Sequence, residues 1–449
     1  MPQTLAALTQ QNVPRYTSYP TAPHFNASVD ASVYAQWLAE LPPDASLSLY
    51  LHVPFCDELC LYCGCNTAVV RKEAPRVRYA KLLQEEIAMV AGRIGRRQKV
   101  CRIHWGGGTP TALPAACLIE VTETLKQYFE FTDDIEVAVE FDPRHLAADR
   151  LAALPLMGVS RASLGVQDFD QAVQEAIGRV QSFEQTLEVA NSLRGVGVKS
   201  LNLDLIYGLP CQTVEGATET ARQALLLSPD RIAVFGYAHV PWMKPHQKLL
   251  PESSLPSTDA RLAQREAIDA VLVGAGFCRI GLDHYARPTD SMAIAAAAGT
   301  LRRNFQGYTE DPAAALIGFG ASSIGSLPQG FVQNATKVPG YASAVEGKAL
   351  PVARGFALSE DDRLRGDIIE ALMCDLSCDV AAVARRHDTD LSALDGPIER
   401  LAALQRHGLV EWDGAVLSVT EAGRPFVRSV AAVFDAYLQP ATTRHASAA

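Results

Sequence analysis

Residues 47–65 read LSLYLHVPFCDELCLYCGC, an apolar stretch that leads directly into four cysteines. Its first part, Leu47–Val53, has the length and composition of a strand buried on both faces of a parallel sheet. The cysteines follow with the spacing C-x3-C-x2-C-x-C, at Cys56, Cys60, Cys63 and Cys65. The sequence therefore predicts a strand whose carboxyl end carries a loop of thiols.

Apolar strand-like stretches alternate with longer helical patterns through the middle of the chain. The further predicted strands are 100–105, 135–141, 161–166, 201–207, 231–237 and 277–282. The predicted helices between them are 76–93, 114–128, 171–193, 213–227 and 259–274. This alternation indicates repeated βα units and a parallel sheet. Six or seven units fit an open or nearly closed βα barrel or a doubly wound sheet, and periodicity alone does not separate these two α/β architectures.

The two ends of the chain differ from the middle. The first 45 residues contain no long periodic pattern, and we expect residues 1–45 to form an arm packed on the barrel, which takes up 46–340. Residues 341–449 are mainly helical in pattern: Ser359 begins a capping box, and Asp413-Gly414 marks a hairpin between two short strands. We therefore predict a winged-helix-like domain that covers the substrate or contacts a partner.

Charge and composition exclude several classes of protein. Of the 449 residues, 40 are Lys or Arg and 50 are Asp or Glu, so the net charge is −10, which argues against nucleic-acid binding. Residues 1–11 lack the basic and apolar regions of a secretory signal, and no apolar stretch approaches the ~18 residues that span a bilayer. These features predict a cytoplasmic protein without membrane insertion. In that reducing compartment, clustered cysteines indicate metal ligation or redox chemistry.

Three closely spaced thiols suit an iron–sulfur cluster with one iron left open. Structural zinc is the alternative, but it usually uses two paired C-x2-C knuckles, and no second pair is visible in the sequence. Residues 105–110, WGGGTP, follow another predicted strand, and their glycines let a ligand approach the backbone closely. A tight βα turn is the simpler explanation of these glycines.

Polar residues end three of the predicted strands, at Glu140, Gln167 and Asp204. Polar groups in buried strands cost free energy unless they are paired or face a polar site. They are either satisfied barrel-interior groups or part of one site with the thiols and the glycines. Because the carboxyl ends of parallel strands meet at one rim, we expect them to converge there.

The cysteine spacing and the glycine motif resemble those of the radical S-adenosylmethionine superfamily. Several segments also resemble the oxygen-independent coproporphyrinogen III oxidases: PRYTSYPTA at 14–22, SLYLHVPFC at 48–56, DLIYGLP at 204–210, YAH at 237–239 and RNFQGYT at 303–309. The resemblance extends from about residue 12 to about residue 438. It implies a partial, open βα barrel of the radical S-adenosylmethionine type.

The resemblance implies an anaerobic step of haem biosynthesis. Coproporphyrinogen III would lose the ring A and ring B propionate carboxylates and gain the two vinyl groups of protoporphyrinogen IX. A low-potential donor would supply an electron that cleaves S-adenosylmethionine to methionine and a 5′-deoxyadenosyl radical. That radical would remove a hydrogen β to the carboxylate, after which CO2 leaves and one electron passes to a terminal acceptor. The family binds a 4Fe–4S cluster and two S-adenosylmethionine molecules per chain, here expected to be a monomer.

Site residues follow from the resemblance position by position. The cluster ligands would be Cys56, Cys60 and Cys63. The residues contacting the cluster-bound S-adenosylmethionine would be Tyr50, Tyr62, Glu140 and Ile324. The residues lining the second S-adenosylmethionine pocket, or bridging the two, would be Gly107, Gly108, Thr109, Gln167, Arg179, Asp204 and Ala238. Cys65 is not an expected ligand; the candidate catalytic residues are Cys65, Phe305 and Gln306.

Arg15 is a candidate to pair with a propionate, because guanidinium binds carboxylates bidentately; an ordinary surface arginine is the alternative. The rival function is a haem-binding chaperone of the same superfamily. Such relatives lack the fourth cysteine and the 14–22 segment and carry an H-N-x-x-Y-W motif. Here Cys65 and the segment are present and the motif is not, which favours the oxidase.

Overall fold

The computed structural model describes residues 13–438. Residues 1–11, in which the sequence shows no secretory signal, lie outside this range. All ten cysteines are free thiols. No helix within residues 13–438 is both long and apolar enough to cross a membrane.

The strands are numbered β1 to β19 in chain order. They are β1 (Leu47–Val53), β2 (Phe55–Cys56), β3 (Ala68–Val69), β4 (Lys99–Gly107), β5 (Glu130–Phe141), β6 (Arg161–Gln167), β7 (Ser200–Tyr207), β8 (Arg231–Gly236), β9 (Cys278–Ile280), β10 (His284–Ala286), β11 (Arg302–Asn304), β12 (Gly307–Thr309), β13 (Ala315–Phe319), β14 (Ile324–Leu327), β15 (Gly330–Asn334), β16 (Val352–Ala357), β17 (Ser377–Asp379), β18 (Val410–Trp412) and β19 (Val416–Val419).

The main sheet of the described chain has 12 strands in the order β16-β15-β14-β13-β1-β4-β5-β6-β7-β8-β10-β9. The pairs from β13 to β8 are all parallel, while the strands beyond them pair antiparallel. The two outermost parallel strands, β8 and β13, do not pair with each other, so the barrel is open. The expectation of a partial βα barrel is confirmed.

The prediction that residues 277–282 form a parallel barrel strand is wrong. Within residues 277–282, Cys278–Ile280 form β9, which runs antiparallel to β10 at the edge of the sheet. Gly276 and Gly281 flank this strand with φ angles of +87° and +52°, and these turns fold the chain back on itself. The seventh parallel strand is instead β13, which pairs with β1 from Leu47↔Ala315 to Leu51↔Phe319.

Helices connect the parallel strands and cover the sheet. In chain order they are α1 (Ala31–Ala39), α2 (Glu73–Ile94), α3 (Ala115–Tyr128), α4 (Ala148–Met157), α5 (Gln171–Ala176), α6 (Phe183–Gly195), α7 (Val214–Leu226), α8 (Thr258–Gly274), α9 (Ser291–Ala297), α10 (Val338–Glu346), α11 (Glu360–Asp375), α12 (Val380–Arg386), α13 (Asp395–Arg406) and α14 (Val427–Ala431). The single helix predicted over 171–193 is therefore two helices, separated near Gly178, whose φ is +66°.

The carboxyl-terminal region has its own core. The Ser359 side chain accepts from the amide of Asp362, whose carboxylate accepts from the Ser359 amide, so the predicted capping box begins α11. The predicted hairpin is β18 and β19, which form a small sheet with β17. The arm contributes to both cores of the protein. Trp37 and its neighbours in α1 pack into the barrel core, whereas Tyr16 packs into the carboxyl-terminal core.

Candidate active site

The cysteine loop begins where β1 ends and is bonded directly to the glycine loop after β4. The Gly108 amide donates to the Val53 carbonyl at 2.8 Å, and the Thr109 amide donates to the Phe55 carbonyl at 2.8 Å. The Thr109 hydroxyl lies 3.9 Å from the sulfur of Cys56. The two loops that the sequence singled out therefore form one unit at the carboxyl ends of the parallel strands.

Two guanidinium groups face the buried thiol of Cys60. Nη2 of Arg144 lies 3.4 Å and Nη1 of Arg179 lies 3.5 Å from its sulfur. Both arginines also pair with Asp142, at 2.7 Å and 3.1 Å. Although burial raises the pKa of Asp142, the charges of Arg179 and Arg144 lower it to about 2. Both guanidinium groups are therefore placed to donate to the Cys60 sulfur.

Glycine is required at two positions of the glycine loop. A Cβ on Gly108 would lie 2.6 Å from the carbonyl oxygen of Phe55 and 3.0 Å from the sulfur of Cys56. Gly107 has a φ of +109°, and a Cβ there would lie 2.5 Å from the His52 ring. The close packing of these two residues explains, without reference to a ligand, why both are glycine. The same packing fixes the position of the cavity wall.

Glu140 joins the glycine loop to the barrel interior. Its carboxylate accepts from the Gly107 amide at 3.1 Å and lies 3.0 Å from Nε2 of His104. Burial alone raises its pKa, but the bonds to His104 and to the Gly107 amide bring the pKa below its usual value. This half-buried carboxylate at the cavity wall therefore favours its ionised form.

Gln167 ends β6, and Asp204 lies within the neighbouring strand β7. Asp204 accepts from the Ser163 hydroxyl at 3.0 Å and from the Asn202 amide group at 2.9 Å, and burial raises its pKa to about 6. Gln167 has a φ of +67°, in the left-handed region that residues other than glycine rarely adopt. Strain of this kind is concentrated at functional sites.

Most of the predicted site residues line one cavity of about 490 Å³: Cys56, Cys60, Tyr62, Cys63, Cys65, Gly107, Gly108, Thr109, Glu140, Gln167, Arg179, Asp204 and Ala238. Four lie elsewhere. Tyr50 lies behind the cavity wall, where its ring and Glu140 both approach Gly106, and Ile324 packs against Gly318, the partner of Tyr50 in β13. Gln306 lines an adjoining cavity of about 300 Å³, and Phe305 lines a separate one of about 400 Å³ near the arm.

Comparison with known proteins assigns the family. Residues 50–224 match the Radical SAM superfamily, and residues 358–426 match the HemN C-terminal domain. An oxygen-independent coproporphyrinogen III oxidase of Bradyrhizobium diazoefficiens is 52% identical over 439 residues, covering 98% of each chain. Another, from Paracoccus denitrificans, is 43% identical and covers 95% of this chain and 94% of its own. The chain belongs to the oxygen-independent coproporphyrinogen III oxidase family.

A solved structure supports the same assignment to the oxygen-independent coproporphyrinogen III oxidase family. It is that of coproporphyrinogen III oxidase (HemN) from Escherichia coli, described as a radical SAM enzyme. Its TM-score to this chain is 0.91 at 37% identity, and the match covers 95% of this chain and 100% of that one. The predicted resemblance and the α/β fold are therefore confirmed over nearly the whole chain.

The cofactors of the radical SAM superfamily, to which this oxidase family belongs, are a 4Fe–4S cluster and S-adenosylmethionine. The residues present fit them, because several thiols on one loop open into a cavity with a carboxylate and backbone amides on its walls. Within residues 13–438, no three Cys, His, Asp or Glu side chains converge on a point where one metal ion would sit. A 4Fe–4S cluster offers each thiol a different iron atom, so its ligands need not converge on one ion.

Sequence reasoning missed several residues that hold the cysteine loop of this oxidase family member. Lys244, His246 and Gln247 each place a side-chain nitrogen 2.8 Å from a carbonyl oxygen of that loop. His246 and Gln247 lie in a short 3-10 helix, Pro245–Leu249, and Lys244 precedes it; the sequence shows no pattern that marks them. Asp142 and Arg144 were also missed, although their position just after Glu140, at a strand end, was a usable signal.

Proposed function

We propose that this protein converts coproporphyrinogen III to protoporphyrinogen IX without oxygen, as an oxidative decarboxylase of haem biosynthesis. The observation that carries the proposal is the similarity to coproporphyrinogen III oxidases over 98% of the chain, with the cysteine loop opening into a cavity at the barrel rim. The two propionates that react would be those of rings A and B, and each would become a vinyl group.

In this proposal Cys56, Cys60 and Cys63 hold the cluster and Cys65 does not. When bound, the cluster supplies the electron that splits S-adenosylmethionine into methionine and a 5′-deoxyadenosyl radical. The protein supplies the surroundings of the thiols. Arg144 and Arg179 stabilise negative charge at Cys60, and the bond between Thr109 and Phe55 fixes the loop near Cys56.

We further propose two S-adenosylmethionine molecules per chain. Two sets of polar groups line the 490 Å³ cavity: Glu140 is one, and Gln167, Arg179 and Asp204 are the other. The first group suits the cluster-bound molecule, together with Tyr50, Tyr62 and Ile324. The second group, with Gly107, Gly108, Thr109 and Ala238, suits the second molecule or bridges the two. Cys65, Phe305 and Gln306 remain the candidates for the substrate end.

The partners and location belong to the same proposal. A low-potential electron donor must reduce the cluster, and a terminal acceptor must take one electron for each vinyl group formed. Free thiols fit the reducing cytoplasm, and we propose that the protein works there as a monomer without nucleic acid. The proposed division of the chain is an arm at 1–45, a barrel domain at 46–340 and a cover domain at 341–449.

The test is anaerobic incubation of the reconstituted protein with coproporphyrinogen III, S-adenosylmethionine and a low-potential reductant. Mass spectrometry of the porphyrin product should show the loss of two carboxyl groups, and Cys56→Ala should abolish the product. An unchanged substrate, together with tight haem binding, would support the chaperone. An unchanged substrate with 5′-deoxyadenosine formed would indicate a radical enzyme that acts on another compound.

A further inference from the structure

A small basic cavity lies beside the candidate active site. It has a volume of about 40 Å³, and Arg15, Arg261, Arg265 and Arg428 line it together with a single carboxylate, Asp283. The backbone of residues 236–238, at the end of β8, forms part of its wall and also part of the wall of the 490 Å³ cavity. Arg15 lines both cavities, so the two are neighbours that share one edge.

Two arginines of this cavity have no carboxylate partner among the described residues. Arg15 and Arg261 form no ion pair with any Asp or Glu of residues 13–438; each donates to a backbone carbonyl at 2.9 Å. Asp283 is already engaged at 2.8 Å by the ring of His284. The guanidinium groups of Arg15 and Arg261 therefore lack an anionic partner among residues 13–438.

The buried donors lead to the same conclusion. Nε of Arg261 is buried without a hydrogen-bond partner among the described residues. Burial, followed by repulsion from Arg15, lowers the pKa of Arg261, and the same causes lower the pKa of Arg428 to about 10. An unsatisfied buried donor destabilises the protein, and a bound acceptor would remove that cost. Guanidinium groups are best satisfied by a carboxylate, which they bind bidentately.

We propose that this arginine cavity binds a propionate carboxylate of the substrate that is retained in the product. The inference rests on the proposed function, because coproporphyrinogen III carries four propionates and loses two. A carboxylate that leaves as CO2 loses its charge on the way to the transition state. Strong pairing with guanidinium would stabilise the starting carboxylate more than the transition state and would slow the reaction. The cavity therefore suits a propionate that does not react, and it orients the macrocycle.

The variants Arg261→Gln and Arg261→Lys test the cavity, and Arg15→Gln tests it at an exposed position where folding is not at risk. Arg222→Gln is the matched control, since Arg222 lies on the surface of α7 and pairs only with Glu219 among the described residues. Steady-state kinetics would give KM for coproporphyrinogen III and for S-adenosylmethionine. We expect KM for the porphyrinogen to rise about tenfold to a hundredfold in Arg261→Gln. It should rise less in Arg261→Lys and Arg15→Gln, and not in the control.

The carboxylate could instead belong to the methionine part of S-adenosylmethionine. In that case KM for S-adenosylmethionine would rise and KM for the porphyrinogen would not, which would overturn the proposal. An unchanged KM for both in Arg261→Gln and Arg15→Gln would also overturn it. Failure of the wild-type protein to convert coproporphyrinogen III would instead reject the proposed function.

Inhibition by product analogues tests whether the bound propionate is a retained one. Protoporphyrin IX keeps the two propionates that do not react, and its dimethyl ester has no free carboxylate. The diacid should compete with coproporphyrinogen III in the wild-type protein at least about tenfold more strongly than the diester. Arg261→Gln should remove this difference. Equal inhibition of the wild-type protein by the diacid and the diester would contradict the proposal.

Discussion

The amide of Thr109 donates to the carbonyl oxygen of Phe55 at 2.8 Å, which joins the glycine loop to the residue that precedes Cys56. The position of the first cysteine therefore depends on a strand about 50 residues further along the chain. β1 is paired with β4 along all of Leu47–Val53. The sheet therefore fixes the position of the cysteine loop that follows β1.

Gly108→Ala should distort this junction. The new Cβ would lie 2.6 Å from the Phe55 carbonyl oxygen, a backbone atom that cannot rotate away. We expect a loss of about 1–3 kcal/mol in the free energy of unfolding and a lower iron content after reconstitution. Gly92→Ala, in α2, is the control, since a Cβ there meets nothing within 4 Å. Equal iron content in the two variants would contradict the proposed role of the junction.

Removal of single cysteines should separate the cluster ligands from Cys65. Alanine at Cys56, Cys60 or Cys63 should reduce bound iron and sulfide from about four of each per chain to nearly none. Cys65→Ala should keep both, and any effect should be on turnover. Cys117→Ala, a buried cysteine of α3, serves as the control. Chemical iron and sulfide analysis is the measurement, and a cluster lost in Cys65→Ala would show that the ligand assignment is wrong.

Glu140→Gln should weaken the binding of S-adenosylmethionine. The carboxylate accepts from the Gly107 amide and contacts His104. The side-chain amide of glutamine is neutral, so it offers no negative charge to these two partners. We expect an increase of about tenfold in the Kd for S-adenosylmethionine, measured by anaerobic equilibrium dialysis. Glu123→Gln, on the surface of α3, should leave the Kd as in wild type. A Kd unchanged in Glu140→Gln would remove Glu140 from the site.

We expect the free energy of unfolding to depend on pH because of Glu86, which is bonded to the loop that precedes Ile324. Its carboxylate accepts from the Gly320 amide and the Tyr341 hydroxyl, both at 2.7 Å, while burial raises its pKa to about 7. The folded protein then holds a proton that the unfolded chain releases near pH 4.5. Its stabilising contribution is therefore complete below that pH and is lost as the pH rises towards about 7, with a slope of at most about 1.4 kcal/mol per pH unit.

Glu86→Gln should remove this dependence, because the amide has no proton to lose. Urea unfolding between pH 5 and pH 8 is the measurement: the wild-type free energy of unfolding should fall relative to that of the variant as the pH rises. Glu85→Gln, an exposed neighbour paired with Lys348, is the control. Parallel curves for the wild-type protein and Glu86→Gln would contradict the account.

The barrel strands β1 and β4 to β8 were predictable because strands buried on both faces are continuous apolar stretches. Leu47–Val53 was predicted to the residue. The seventh parallel strand, β13, was not predicted, since its five residues follow a long insertion and give no periodic signal. The break within 171–193 was missed because it depends on the positive φ of Gly178, which an apolar pattern does not reveal.

The site was predictable where its residues end strands. Glu140, Gln167 and Asp204 interrupt apolar stretches, and parallel strands bring their carboxyl ends to one rim. The arginine cavity was not predictable beyond Arg15, because its members come from the arm, α8 and α14, which only the tertiary fold brings together. The roles assigned to the site residues, and the boundaries at 45/46 and 340/341, stay predictions.

The most direct test of the central claim is the amount of 5′-deoxyadenosine formed for each vinyl group, measured anaerobically with and without coproporphyrinogen III. The account predicts that 5′-deoxyadenosine forms in a fixed ratio to vinyl groups, that both depend on coproporphyrinogen III, and that Cys56→Ala forms neither. Vinyl groups formed without 5′-deoxyadenosine, or 5′-deoxyadenosine formed at the same rate with and without the porphyrinogen, would contradict it.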